Sequence, residues 1–220
     1  MTTPEPVAVL ASGGVDSAVL VAELAGRGHA AHPVYVRFGL AWEHAEEAHL
    51  RRFLAVLDDP LVRPLSVIEL PVSDVYGTHW SLSGVGVPDE TTPDESVYLP
   101  GRNLLLLAKT GIWCSQHGVH TIALGTLLGN PFADSSPQFF TGFAGLSSTA
   151  LGYELRVETP FAGLAKAEVL ELGRRLPLEH TFSCIAPVSG QHCGRCNKCA
   201  ERRKGFAEAG AADGTVYAFG

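Results

Sequence analysis

The sequence predicts a doubly wound α/β fold, in which helices cover both faces of a mainly parallel five-stranded sheet. Short apolar runs of strand length alternate with longer segments of helical periodicity, and a glycine turn joins the first run to the first helical segment. The chain has 220 residues, of which 46% are hydrophobic, so it can bury a core of this kind. Ligands of such sheets bind at the carboxyl ends of the strands, where this glycine turn falls.

The individual elements follow from apolar runs and their periodicity. The predicted strands are residues 7–11, 32–38, 64–70, 119–125 and 155–160. The predicted helices are residues 18–25, 42–57, 104–117, 138–151 and 164–176, the last with Arg174 and Arg175 in its final turn. Residues 71–97 are rich in Gly, Pro, Ser, Thr and Asp, and we expect a long loop over the site. We expect an α/β domain over residues 1–180 and a cysteine-rich segment over residues 181–220.

Composition argues against several classes of function. The formal net charge of −7 disfavours a nucleic-acid partner, which would require a basic face. Residues 1–6 are polar, unlike a signal peptide, and no run reaches the roughly 18 apolar residues that span a bilayer. We therefore expect a cytoplasmic protein without a membrane segment.

The stretch Ser12-Gly13-Gly14-Val15-Asp16-Ser17 lies between the first strand and the first helix, and it predicts a phosphate site. The unpaired N–H groups and the dipole of a helix start attract anions, and glycines let the backbone approach a ligand closely. Ser12 and Ser17 add hydroxyl groups, while Asp16 suits a divalent cation bound between the carboxylate and phosphate. The stretch is neither a Walker A loop nor a dinucleotide fingerprint. The alternative is a plain strand–turn–helix connection capped by serine.

Two basic residues stand at predicted helix starts, where a cation opposes the helix dipole. Arg102 precedes the leucine-rich helix, and Lys166 lies in the first turn of the helix at 164–176. A bound polyphosphate would make both positions favourable. The alternative is that both side chains are simply solvated.

The C-terminal cysteines follow the spacing C-x8-C-x2-C-x2-C, at Cys184, Cys193, Cys196 and Cys199. An odd total of five, with four clustered, is typical of metal binding rather than disulfides. Four thiolates suit structural zinc, and an iron–sulfur cluster is the main alternative. The fifth residue, Cys114, lies in an apolar helix and is predicted to be a buried core thiol.

The Ser12–Ser17 stretch resembles the PP-loop of the ATP pyrophosphatases, which split ATP into AMP and pyrophosphate to activate a carbonyl or carboxyl group. Together with Pro100-Gly101-Arg102-Asn103, Lys166-Ala167-Glu168 and the cysteine spacing after Ser183, it resembles the 7-cyano-7-deazaguanine synthase family over nearly the whole chain. That family makes preQ0, a queuosine precursor, from 7-carboxy-7-deazaguanine, ammonia and ATP, with structural zinc. The resemblance also implies a homodimer.

The resemblance implies roles for individual residues. Asp16, Ser17, Arg102 and Lys166 would be catalytic. The site for ATP with magnesium would comprise Leu10, Ser12, Gly13, Gly14, Asp16, Ser17, Arg102, Asn103 and Gly125. The zinc ligands would be the four clustered cysteines.

The sequence departs from that family in one segment. Residues 130–140 keep Asp134 and Ser135 but lack the Tyr, second Asp, Cys and Arg of the family's Asp-Ser-Gly-Tyr-Pro-Asp-Cys-Arg, and Phe38-Gly39-Leu40 replaces Tyr-Gly-Gln. A ligase for a different carboxylate or amide is therefore an alternative. A tRNA-modifying PP-loop enzyme is another, disfavoured by the acidic charge and the lack of a cysteine near the loop. A third is a non-enzymatic nucleotide-binding module.

Overall fold

The computed structural model describes residues 4–219, and its central feature is a parallel five-stranded sheet. The strands are β1 (Pro6–Leu10), β2 (Ala30–Arg37), β3 (Ser66–Glu69), β4 (Thr121–Ala123) and β5 (Arg156–Glu158). Their order is β3-β2-β1-β4-β5, and each neighbouring pair is parallel. The predicted sheet is confirmed. Residues 1–3 and 220, the ends of the two predicted domains, lie outside the described residues, and the domain boundary stays a prediction.

Helices of very different length surround the sheet. They are α1 (Val15–Gly26), α2 (Glu43–Leu57), α3 (Ser73–Tyr76), α4 (Trp80–Ser83), α5 (Arg102–His117), α6 (Pro137–Leu151), α7 (Lys166–Leu172) and α8 (Asn197–Glu208). Short 3-10 helices are formed by Asp94–Val97, Ala133–Ser135 and Leu178–His180. Within residues 4–219, no helix combines the length and apolar content needed to cross a membrane.

The central strand β1 divides the core into two layers. Val7 and Val9 pack with Val19 of α1 on one face, whereas Ala8 packs with Leu107 of α5 on the other. This alternation follows from the two-residue period of a strand. The helices on both faces confirm the doubly wound arrangement. Helix α8 packs against α7, so the cysteine-rich segment lies against the α/β layers.

Helix α7 is shorter than the predicted helix over residues 164–176. It ends at Leu172, and the turn that follows places Arg174 and Arg175 beyond the helix, so their assignment to its last turn is wrong. Gly173 ends α7 where it approaches α1: a Cβ atom built at Gly173 would lie 2.6 Å from Val19 Cγ2. Gly173 is both a local stop signal and the residue that permits this close contact between the two helices.

The segment 71–97 is more ordered than the predicted long loop. It contains α3, α4 and the 3-10 helix Asp94–Val97, which are too short to produce a clear helical period. Trp80, Leu82 and Val97 pack against a cluster that includes Trp42. Trp80 and Val97 also line a cavity at the carboxyl end of the sheet, so the segment does lie over the candidate site.

Candidate functional site

The loop between β1 and α1 is held in shape by its serine hydroxyls. Ser12 N donates to Ser17 Oγ at 3.2 Å, and Ser17 Oγ donates to Gly14 O at 3.1 Å. Gly13 has φ of +78°, and a Cβ there would lie 3.1 Å from Glu46 O. Gly14 is the N-cap of α1 and has no side chain to accept the N–H groups of the first turn. Those donors can therefore serve an anion at the end of the sheet.

Asp16 and Lys166 form an ion pair beside this loop, although they are 150 residues apart in the sequence. Lys166 Nζ lies 2.9 Å from Asp16 Oδ1 and 2.8 Å from Oδ2. Asp16 lies in the first turn of α1, and Lys166 is the first residue of α7. Lys166 Nζ also lies 3.9 Å from Glu201 Oε1 of α8. The fold thus brings a carboxylate and an ammonium group together where phosphate is expected.

Gly125, just after β4, lets α1 approach the sheet closely. A Cβ at this position would lie 3.1 Å from the carbonyl carbon of Asp16 and 3.2 Å from its oxygen. We expect Gly125→Ala to displace the first turn of α1, lowering turnover about tenfold and the free energy of unfolding by about 1–2 kcal/mol. Steady-state kinetics and urea unfolding measure the two effects.

The matched control is Gly142→Ala on the exposed side of α6, where a Cβ would meet nothing within 4 Å. That variant should keep wild-type turnover and gain about 0.5–1 kcal/mol of stability, because alanine favours a helix. Equal losses of turnover in the two glycine variants would contradict the role given to the Gly125 contact.

Arg102 and Asn103 begin α5, and their side chains differ in hydrogen bonding. The buried Nε of Arg102 has no hydrogen-bond partner among the described residues. An orphaned guanidinium donor of this kind fits an anionic ligand. Asn103 Nδ2 instead donates to Asp134 O at 2.9 Å and to Ser135 Oγ at 2.8 Å. The side chain of Asn103 therefore fixes the 3-10 turn Ala133–Ser135 against α5.

Two adjoining cavities open at the carboxyl end of the sheet, of about 250 Å³ and 470 Å³. The first contains most of the predicted nucleotide-binding residues: Leu10, Ser12, Gly14, Asp16, Ser17, Arg102, Asn103 and Gly125. Gly13 turns toward α2 and does not line it. Lys166 lines the second cavity, together with Lys198 and Glu201 of α8. Arg102 and Asp16 line both, so the two cavities meet beside the loop between β1 and α1, the proposed phosphate loop.

Glu46 is a site residue that the sequence reasoning missed. It is buried, lines both cavities, and accepts a hydrogen bond from Tyr35 Oη at 2.7 Å through Oε2. Burial raises the pKa of Glu46 to about 7, although Arg102 and Tyr35 favour the ionised form. The sequence contains a signal for this position, because Glu46, Leu50 and Phe53 recur at helical spacing. All three are buried, so this carboxylate lies on the apolar face of α2.

We expect Glu46 to make the protein less stable as the pH rises. The pKa of Glu46 rises from its ordinary 4.5 to about 7 on folding, so between these values the folded protein holds the extra proton and stability falls with pH. Glu46→Gln should therefore be about 2–3 kcal/mol more stable than wild type at pH 8, and nearly equal to it near pH 4.5. Urea unfolding at several pH values measures this difference. Parallel pH profiles for the two proteins would contradict it.

The four clustered cysteines are buried, and their Sγ atoms all lie within 4.8 Å of one another. Cys193 and Cys199 Sγ are 3.9 Å apart, and Cys184 and Cys196 Sγ are 3.8 Å apart. Thiolates bound tetrahedrally to one zinc ion at about 2.3 Å are about 3.8 Å apart. An iron–sulfur cube attaches each thiolate to a different iron and separates the sulfurs further. The four residues fit a single four-coordinate metal ion.

Backbone donors also suit this cluster to hold thiolates. The N–H groups of Ala186 and Cys193 donate to Cys184 Sγ at 3.3 and 3.2 Å, and that of Arg195 donates to Cys193 Sγ at 3.3 Å. Such bonds stabilise negative sulfur and orient metal ligands. The segment that carries the cluster also contacts the loop between β1 and α1, because Phe182 N donates to Gly13 O at 2.7 Å.

Comparison with protein families matches residues 6–210 to the model described as queuosine biosynthesis protein QueC. Curated relatives include two proteins called 7-cyano-7-deazaguanine synthase. The one from Thiobacillus denitrificans is 34% identical, covering 96% of this chain and 97% of that protein. The one from Anaeromyxobacter dehalogenans is 32% identical, covering 96% and 94% respectively.

Solved structures show the same fold at low sequence identity. A predicted subunit of a tRNA methyltransferase from Methanocaldococcus jannaschii has a TM-score of 0.50 and 16% identity, covering 76% of this chain and 73% of that chain. A 4-thiouridine synthetase, solved as an RNA complex with bound ATP, has a TM-score of 0.52 and 15% identity. The match covers 94% of this chain and 50% of that chain. These likenesses concern the fold alone, whereas the family match extends over nearly the whole sequence. The chain therefore belongs to the QueC family of queuosine biosynthesis proteins.

Proposed function

We propose that this protein is an ATP-dependent ligase that converts 7-carboxy-7-deazaguanine and ammonia into 7-cyano-7-deazaguanine (preQ0) for queuosine biosynthesis. The observation that carries the proposal is the meeting of two cavities beside the phosphate loop, where Asp16, Lys166 and the orphaned Arg102 converge. One cavity suits a nucleotide and the other suits a second, planar reactant. The names of the curated relatives support the choice of product.

The phosphate loop would bind ATP in the first cavity. The N–H groups at the start of α1 and the Ser17 hydroxyl would donate to its phosphate oxygens, and Arg102 would reach them from α5. Bound magnesium would offset negative charge on the phosphates, and Asp16 is the carboxylate placed to hold it. Lys166 would then exchange its partner Asp16 for the departing pyrophosphate.

In the first reaction, a carboxylate oxygen of the acid attacks the α-phosphorus of ATP and pyrophosphate leaves. Ammonia attacks the resulting acyl carbon, AMP leaves, and the nitrogen loses a proton to give the amide. In the second reaction, the amide oxygen attacks the α-phosphorus of another ATP and pyrophosphate leaves again. Loss of AMP and of two protons from nitrogen then forms the nitrile. The side chains contribute positioning and charge stabilisation, with Arg102 and Lys166 as the cations at the phosphates.

The metal in the four-cysteine cluster is proposed to be zinc with a structural role. All four positions of a tetrahedron are filled by protein sulfur, which leaves no open position for substrate. A cytoplasmic homodimer is part of the same proposal and rests on the family resemblance.

The test is a turnover assay with 7-carboxy-7-deazaguanine, ammonium, magnesium and ATP, its products identified by mass spectrometry. We expect a product with the mass of the nitrile, together with AMP and pyrophosphate. Binding of ATP without conversion of this acid would contradict the proposed substrate. That result would favour a different carboxylate as the substrate, which the divergence of residues 130–140 from the family's sequence would explain.

A further inference from the structure

Aromatic side chains form part of the lining of the second cavity. Trp42 and Trp80 both line it, and their rings are stacked with centroids 5.7 Å apart and planes 18° apart. Phe132 and Phe182 also contribute to its lining. Planar heterocycles stack favourably on such surfaces, but stacking alone discriminates poorly between rings of similar shape. Polar groups in the cavity must supply the discrimination.

Four acidic residues line this cavity. Two of them form ion pairs, and a third is exposed to solvent. Asp16 pairs with Lys166, and Glu201 Oε2 lies 2.5 Å from Lys198 Nζ. Asp94 is exposed. Glu46 is the remaining one: it is buried and, among the described residues, forms no ion pair within 4 Å.

The hydrogen bonds of Glu46 within the protein leave part of its acceptor capacity free. Tyr35 Oη donates to Oε2, the indole N–H of Trp42 also donates to the carboxylate, and together they fix the orientation of the group. Each carboxylate oxygen can accept two hydrogen bonds, so these two donors leave two of the four acceptor sites free. A carboxylate held in this way can accept two parallel N–H donors from a planar ligand.

We infer that Glu46 recognises the N1–H and 2-amino donors of the guanine-like ring of the acid, which lies against the aromatic lining of the second cavity. This inference rests on the proposed function and identifies what selects its substrate. The two donors belong to the six-membered ring, whereas the reactive carboxylate is attached to the five-membered ring. Binding at Glu46 therefore directs the substrate's carboxylate away from the negative charge of Glu46 and leaves it free to approach the phosphates of ATP.

The test is calorimetric binding of 7-carboxy-7-deazaguanine and of its analogue without the 2-amino group. The wild-type protein should prefer the amino compound at least about tenfold, because a charge-assisted hydrogen bond is lost in the analogue. Glu46→Gln should weaken binding of the amino compound about 10- to 100-fold and reduce the preference to less than about threefold. Glu46→Asp, which keeps the carboxylate, should retain a preference at lower affinity.

The matched control is Glu47→Gln, the next residue on α2, which lines neither cavity and pairs with Arg37 and Arg51. It should lose stability but keep the wild-type affinity and preference. Thermal melting of each variant first establishes that it is folded. A folded Glu46→Gln with wild-type preference would overturn this assignment alone. Failure of the wild-type protein to bind either acid would overturn both the assignment and the proposed substrate.

Discussion

Replacing Asp16 by asparagine should lower turnover about 10²- to 10³-fold while leaving the protein folded. The side chain lies in the first turn of α1, at the proposed phosphate site, and both of its oxygens contact Lys166 Nζ. Asparagine has nearly the same shape but no charge. It therefore removes both the proposed magnesium ligand and the anion that holds Lys166 in place. Initial rates of AMP formation at saturating ATP measure the loss.

The control for this substitution is Glu23→Gln on the same helix. Glu23 lies two turns from Asp16 and pairs with Arg27 at the surface, outside both cavities. Such an exposed pair contributes little to stability, so we expect turnover within about twofold of wild type. An Asp16→Asn protein with wild-type rates would show that the chemistry does not depend on this loop. A proportional loss in the Glu23 variant would indicate a general effect of charge on α1.

The parts of this protein that could be predicted from its sequence are those encoded by neighbouring residues. The apolar run at 7–11, the two glycines and the following helical segment define β1, the phosphate loop and α1 without any tertiary information. The cysteine spacing likewise brings Cys193, Cys196 and Cys199 onto one turn, and Cys184 completes the set. Both features were predicted because chain geometry over about fifteen residues is enough to form them.

The missed features depend on contacts between distant segments. Glu46 resembled a solvated helical glutamate because two other glutamates stand nearby in the sequence, at positions 43 and 47. Its burial follows from the position of α2 above β2, where Tyr35 donates to it. Trp80 lies in a stretch with no readable period, and its stacking on Trp42 appears only once α4 folds over the site. Local patterns therefore located the proposed phosphate site but not the cavity beside it.

Removing the metal should have the largest effect on stability. Without a metal ion the four buried sulfur atoms lose the shared partner that would join Cys184 to the three cysteines of the C-terminal turn. Structural zinc sites contribute on the order of 10 kcal/mol to the folding of small domains. In this larger chain we expect chelator treatment, or Cys196→Ser, to lower the free energy of unfolding by at least about 3 kcal/mol. A chain of this size should then melt about 6–12 °C lower. Differential scanning calorimetry with and without added zinc measures the shift.

Loss of the metal should also lower turnover, because the cluster and the proposed active site share structural elements. Helix α8 begins immediately after Cys196 and carries Lys198 and Glu201 into the second cavity, while Phe182 binds the phosphate loop through Gly13 O. Turnover should therefore fall together with the melting temperature and recover when zinc is restored. Cys114→Ala is the matched control: this cysteine is buried in α5, away from the cluster, so the variant should keep its metal and its sensitivity to chelators. If the Cys196→Ser protein melted and turned over like wild type, the metal would have no structural role, and the cysteine spacing would need a different explanation.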